Sequence, residues 1–376
     1  MVRNIRIFLA LVLATSVVSP TPSKAQSDGN IGAVFVMTNN ADKNEIIAYK
    51  RAADGTLREA HTFSTGGRGS GGVTDPLGSQ GSLILSRDHS LLFAANAGSG
   101  DVSVFRVHGY FLSLVSKAHS GGSGPNALAQ YRNLVYVLNA GGGSNVTGFF
   151  LEREGRLRRI SNSRAFLSTS NPGAASLAFS PDGQFLLVSE KSTNKIDTFH
   201  VQADGTLAPI VVNPSAGPGL FAVLFAPNGA ALASETGPAG GSNASAISSY
   251  AVAANGTLSP ISASVPTFGA ATCWQEVTPD GRFVYTSNSA TSTISGFEIG
   301  ANGSLSPLPG TTLATLPSGS TNLDIAISSD GKYLYTLNSS SGTISIFAIN
   351  QDGTLANLGD TGGLSAAAGF NGIAAF

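Results

Sequence analysis

Along the chain from about residue 33, short apolar runs alternate with polar stretches rich in Gly, Ser, Asn and Asp, and the same order of runs keeps returning. One unit reads Leu177-Ala-Phe-Ser-Pro-Asp182-Gly183-Gln-Phe-Leu-Leu-Val-Ser-Glu190, then Lys195-Ile-Asp-Thr-Phe-His-Val201, then Ala203-Asp-Gly205-Thr-Leu207. Apolar runs this short, bounded by Asp-Gly pairs, predict strands joined by tight turns. The unit is thus four strands: an apolar strand A, a turn, strand B ending at Glu190, a polar loop, strand C, a second turn and strand D. A repeat of roughly 40 to 50 residues made this way is the signature of a β-propeller blade.

The second turn recurs at Gly55, Gly109, Gly155, Gly205, Gly256, Gly303 and Gly353, which predicts seven blades. The first turn recurs at Arg87-Asp88-His89, Pro181-Asp182-Gly183, Pro227-Asn228-Gly229, Pro279-Asp280-Gly281 and Ser329-Asp330-Gly331, with a shorter version at Tyr131-Arg132-Asn133. Asn and Gly suit such turns because they adopt positive φ cheaply. The first repeat starts at strand B, residues 33–38, with no strand A before it, while residues 371–376 read as a strand A with nothing after it. Pairing the two closes the ring and removes both open sheet edges. The expected fold is all-β: one seven-bladed propeller of four-stranded antiparallel blades over residues 33–376, closed by its C-terminal strand.

Composition agrees with this reading and narrows the partners. Hydrophobic residues make up 42% of the chain and charged ones only 11%, with 46 Gly and 17 Pro, a poor composition for a helical bundle. The 21 Lys and Arg nearly balance 22 Asp and Glu, so there is no basic footprint for nucleic acid. Arg3 and Arg6, an apolar run over residues 7–18 and the small residues around Ala25 read as a signal peptide over 1–25, followed by a short linker over 26–32. That run is too short to span a bilayer, and the expectation is a monomer that is secreted or periplasmic. Cys273 is the one cysteine, so no internal disulfide contributes.

In a propeller, strand A and the loop leaving strand B surround the central channel, where converging polar groups make the default site. The ends of the B strands are Asn39, Asn96, Asn139, Glu190, Glu235, Asn288 and Asn338. The asparagines suit loop capping, since their side chains bond nearby backbone; around a ligand they would be substrate-binding donors. Glu190 and Glu235 break the pattern on neighbouring blades and are the candidate catalytic pair, acting as acid and base or sharing a cation. The alternative has Glu190 neutralised by Lys191 and Glu235 solvated. The entries to the A strands add Asn126, Trp274 and Asp324 as candidate ligand contacts, Trp274 as an apolar wall or as core packing. Cys273 has no His beside it in sequence and reads as an inert thiol. Histidines 61, 89, 108, 119 and 200 lack ligand spacing, and neither a phosphate loop nor a Gly-x-Ser-x-Gly elbow is present, so no metal or cofactor is expected.

The blade motifs, among them Ser180-Pro-Asp-Gly-Gln-Phe-Leu-Leu-Val188 and Pro279-Asp-Gly-Arg-Phe-Val-Tyr-Thr-Ser-Asn288, resemble the seven-bladed lactonase family that includes 6-phosphogluconolactonases and fungal carboxymuconate-lactonizing enzymes. The resemblance runs through all the repeats. It implies a Pro-His-Ala-His stretch where this chain has Pro172-Gly173-Ala174-Ala175, an arginine near Phe221, and a second arginine at Ser289. The Asn-Glu position survives as Ser234-Glu235. Without the arginines, which grip carboxylate or phosphate, an anionic sugar lactone has no anchor.

Two functional readings follow. In the first, an exported lactonase-like hydrolase acts on a neutral or weakly charged lactone or sugar-derived molecule, with Glu235 as general base and Glu190 orienting it. In the second, a non-catalytic extracellular or envelope propeller uses its Gly/Ser-rich loops, such as residues 66–72 and 237–243, as a binding platform. A lyase or isomerase with a metal on Glu190, Glu235 and Asp324 ranks behind both.

Overall fold

The computed structural model describes residues 30–239 and 241–376; the expected signal peptide lies outside the described residues. Seven antiparallel sheets follow one another along the chain. The innermost strands are Leu83–Leu85, Ser123–Tyr131, Ala174–Phe179, Leu220–Phe225, Thr272–Val277, Asn322–Ile327 and Ile373–Ala375. Six blades follow the order A-B-C-D in sequence, and the ring is a seven-bladed propeller. Blade 3 carries one extra piece, Ala165–Phe166, paired to its third strand Asn145–Leu151.

The seventh sheet joins the two ends of the chain. Its order is Ile373–Ala375, Asn30–Met37, Glu45–Ala52 and Leu57–Ser64, with Val34 opposite Ala375 and Val36 opposite Ile373. Strand B begins at Asn30, earlier than the apolar pattern places it, because Asn30 and Gly32 still find partners in Ala52 and Arg51. Arg51, nearly fully buried, donates from Nε to the Phe376 carbonyl at 3.0 Å and pairs with Asp330 of blade 7 at 3.4 Å.

The turns behave as their residues dictate. All seven glycines of the C–D turn have positive φ, from 62° at Gly109 to 87° at Gly155. In the A–B turn, the Asp182 carboxylate accepts from the Ser180 hydroxyl at 2.6 Å and from the Gln184 N–H at 3.0 Å, and Asp88, Asp280 and Asp330 repeat the arrangement. Burial then follows the layers: Phe185–Glu190 and its counterpart B strands are buried along their length, whereas D strands such as Leu355–Thr361 are largely exposed. The core lies between blades, as where Leu138 and Tyr136 of blade 3 meet Leu177, Val188 and Phe199 of blade 4. Tyrosine hydroxyls add a tie to the next blade, from Tyr285 to the Gly353 carbonyl at 2.8 Å and from Tyr335 to that of Gly55 at 3.0 Å. No helix among the described residues is long and apolar enough to cross a membrane.

Candidate functional site

The B-strand ends are fully buried, and their side chains bond to neighbouring strands and loops of the protein. Asn288 donates to the hydroxyls of Thr293 and Ser295, each at 2.9 Å; Asn338 does the same to Thr343 and Ser345, and Asn96 to Asp101 and Ser103. Asn139 donates to Asn145 and to the Ser120 carbonyl, Asn39 to Ser70, and Asn126 to the Ala174 carbonyl. These side chains pin strand B to strand C or one blade to the next, and a ligand would have to displace those partners.

Glu190 and Glu235 occupy the same pinning position. Glu235 accepts from the Gly217 N–H at 2.9 Å and from the hydroxyls of Ser248 and Ser264 at 2.6 and 2.7 Å. It is completely buried, which removes the solvated-loop alternative. Glu190 accepts from the N–H and hydroxyl of Ser168 at 2.8 and 2.6 Å and from the Thr193 hydroxyl. On the next strand its carboxyl meets that of the buried Asp197, which stands where other blades carry Ser103, Ser295 or Ser345. Burial, then the hydrogen bond and charge of Glu190, push Asp197 up to about 8; burial also works against the charge on Glu190, but bonds from Asp197, Ser168 and Thr193 outweigh it and hold Glu190 low. The two carboxyls share one proton near neutral pH. Lys191 turns away from Glu190, to the Gly78 carbonyl and the face of Phe221.

Lys191 leads to the feature that decides which end of the channel is open. The long connection between blades 1 and 2 runs into the channel mouth on the side of the B–C loops. The Gln80 backbone N–H donates to the Ala175 carbonyl of blade 4 at 3.0 Å, and its side-chain amide pairs twice with the Gln275 backbone of blade 6, donating at 2.6 Å and accepting at 3.1 Å. The Trp274 indole donates to the Ser79 carbonyl at 3.0 Å, the Ser79 hydroxyl to the Asn126 carbonyl at 2.8 Å, and Asn371 to Asp75 at 2.9 Å. Blades 1, 3, 4 and 6 all hold this segment. It meets Ala175 and Trp274, and Ala175 stands where the resemblance implies His; the small residue there leaves room for the plug. Trp274 is buried against Phe221, with ring centres 4.9 Å apart, and so is packing at the sealed end. Burial pushes the Cys273 thiol up to about 12 and Asp75 up to about 7, the latter opposed by Lys191.

Below the plug the channel stays open toward the A–B turns. It forms two adjoining lobes of about 290 and 390 Å³, and Glu276 lines both. Glu276 sits four residues before the turn aspartate, Asp280; the corresponding residues in blades 2, 4, 5 and 7 are Ile84, Ala178, Leu224 and Ala326. Among the described residues its carboxyl has no hydrogen-bond partner, unlike Glu190 and Glu235. Burial, then the Asp324 carboxylate, push its pKa up to about 8. Asp324 is nearly fully buried beside the channel; burial raises it to about 7 against bonds from the N–H groups of Ile325 and Ile373. Gln80 lines the smaller lobe at its closed end. No group of three or more His, Cys, Asp or Glu among the described residues is arranged to hold a metal ion, so Glu190, Glu235 and Asp324 do not form the site the metal alternative required.

Glu276 escaped the sequence reading because that reading compared only the ends of the B strands and the entries to the A strands. Aligning the middle of strand A on the turn aspartate exposes it at once: Gln275-Glu276-Val277-Thr278-Pro279-Asp280 against Leu177-Ala178-Phe179-Ser180-Pro181-Asp182.

A seven-bladed propeller with a blind central channel that carries Glu276 is the class that fold and cavity define. Residues 15–273 match the model of the lactonase, 7-bladed beta-propeller family, and the chain belongs to that family. Among solved structures it is similar to a candidate 6-phosphogluconolactonase from Bacteroides uniformis, at 19% identity and TM-score 0.70 over 92% of this chain and 99% of that one. It is similar also to the periplasmic gluconolactonase of Pseudomonas aeruginosa, at 18% identity and TM-score 0.67 over 91% of this chain and 98% of the other. No curated protein matches the chain in sequence.

Proposed function

We propose that this protein is a lactone hydrolase that works outside the cytoplasm, with Glu276 as general base in the channel entered from the A–B turns. The observation that carries the reading is Glu276 itself: a part-buried carboxyl without a protein partner, raised to about 8, at a position apolar in the aligned blades. Once ionised, as pH rises through about 8, a base of that strength removes a proton from water efficiently. The water oxygen bonds to the lactone carbonyl carbon while Glu276 takes its proton. The acyl C–O bond then breaks, and the ring oxygen leaves with the proton that Glu276 returns, giving the open hydroxy acid. Gln80 spends one amide hydrogen on Gln275 and has a second for the developing oxyanion. Family membership supports the reaction class, and the leader-like residues 1–25 support export.

The test is lactone hydrolysis by the wild type, Glu276→Gln and Glu235→Gln. Turnover falls by roughly 10²-fold or more in Glu276→Gln, in line with loss of a general base, and persists in Glu235→Gln, whose carboxylate is tied to Gly217, Ser248 and Ser264. Loss of turnover in Glu235→Gln alone refutes this placement. A second reading, a non-catalytic binding propeller, draws on the plug that fills the B–C loop end; absence of turnover on every lactone class in the wild type would favour it.

A further inference from the structure

We infer that the channel selects an uncharged lactone carrying an alkyl or similarly apolar substituent, rather than a sugar-acid or phosphosugar lactone. This rests on the hydrolase reading above and adds the substrate class.

The walls supply the argument. Ile84, Leu128, Val223 and Phe225 line the smaller lobe, and Leu83, Ile325 and Ile327 the larger. The Ser176, Ser86 and Thr278 hydroxyls that also face the lobes already bond to Ser189, Asp88 and Asp280, so a polyol beside the aliphatic walls would leave hydroxyls unpaired, which is costly. The polar groups concentrate at Glu276 and Gln80 on the closed side and at the A–B turns outside, enough to orient one ester group. Glu276 also divides the space, so an ester held at its carboxyl has a lobe on either side for ring and chain.

Charge points the same way. The strongly basic side chain lining the lobes, Arg87, is exposed at the mouth. His89 lies beside it, stacked on Phe376 at 5.6 Å, and burial, opposed by Asp88, lowers its pKa. A phosphate or carboxylate drawn into the channel would meet Glu276 and Asp324 with no buried cation to offset them. The lobes, about 290 and 390 Å³, lie at the small end of the roughly 300–1,000 Å³ usual for ligand sites, which suits a ring with a short chain.

The experiment uses the wild-type protein and two sets of probes. The first is a δ-lactone series with alkyl substituents from methyl to hexyl, beside glucono-δ-lactone, read as kcat/KM. The second is the matching 3-alkylcyclohexanones, which lack a hydrolysable ester, read as dissociation constants. Each buried methylene should raise kcat/KM and affinity roughly fourfold until the chain fills its lobe, and glucono-δ-lactone should be the poorest substrate. Ala178→Trp, which places an indole at the ring position of Glu276, should abolish the chain-length dependence; the wild-type series decides the matter even if that variant misfolds. A response flat in chain length, or a preference for glucono-δ-lactone, overturns the inference while leaving lactone hydrolysis standing. Ketone affinity that climbs with chain length while no lactone is hydrolysed supports the ligand class and removes the hydrolase reading instead.

Discussion

Ending the chain after Phe370 deletes the strand that closes the ring. Ile373 is nearly fully buried, and its loss alone removes about 1.5–3 kcal/mol of burial. Four backbone bonds flanking the short ladder go with it: Ala33 N–H to the Phe376 carbonyl, Phe376 N–H to the Ala33 carbonyl, Met37 N–H to the Gly372 carbonyl, and Asn371 N–H to the Met37 carbonyl. At about 1 kcal/mol each they are comparable with the side-chain loss. Arg51 is then buried with only Asp330 to answer its charge, at a further cost of roughly 1–3 kcal/mol. The combined loss, on the order of 8 kcal/mol, is most of the 5–15 kcal/mol that stabilises an ordinary domain. Urea unfolding followed by the fluorescence of Trp274, the one tryptophan and a buried one, reads this directly. The truncated chain should be unfolded without denaturant or show a midpoint far below that of the intact protein. Ile373→Ala should fall between them, at about 2–5 kcal/mol. An unchanged midpoint after truncation would mean that the ring holds without its C-terminal strand.

Other consequences concern the pins, the plug and the shared proton. Asn288→Ala strips the donors to Thr293 and Ser295 and should cost about 2–4 kcal/mol in denaturant unfolding, with turnover per folded molecule unchanged; lost turnover at intact stability would make Asn288 a ligand contact. Gln80→Ala leaves the Gln275 backbone unpaired across the channel and should speed hydrogen exchange over residues 73–81, while unaltered protection there would deny the segment its anchor. Asp197 has a folded pKa near 8, above its unfolded value of about 4, so the stability tied to its proton is complete below pH 4 and lost as pH rises through 8. Asp197→Ser, which installs the residue of blades 2, 6 and 7, should therefore unfold less readily than wild type at pH 9, by roughly 1–3 kcal/mol, with a smaller gain or none at pH 5. Equal differences at the two pH values would argue against a shared proton.

What the sequence discloses depends on how local the cause is. The C–D turn needs positive φ in each blade, so Gly55 through Gly353 mark the blades without any knowledge of packing. Ring closure follows from counting strands, because residues 371–376 lack a neighbour in their own repeat. The pins are legible as well: Asn288, Thr293 and Ser295 have the same spacing as Asn338, Thr343 and Ser345. The plug is not, for only its Gly/Ser-rich start, residues 66–72, stands out, and as a binding platform, while its bonds join Ser79 and Gln80 to Trp274 and Gln275, partners nearly 200 positions away in the chain. Which end of the channel is open therefore stays hidden until the ring is assembled. Glu276 lies between these cases, visible in the repeat but meaningful only once the channel around it is known to be apolar.

The most direct test of the account is the pH dependence of lactone turnover in wild type and Asp324→Asn. Glu276 must be ionised to act as base, so wild-type kcat/KM should rise with pH along a limb of apparent pKa near 8 and level off above it. Neutralising Asp324 removes a carboxylate that holds Glu276 high, and the limb should move to lower pH. A wild-type profile with no limb near pH 8, or one that Asp324→Asn leaves in place, would contradict Glu276 as the base.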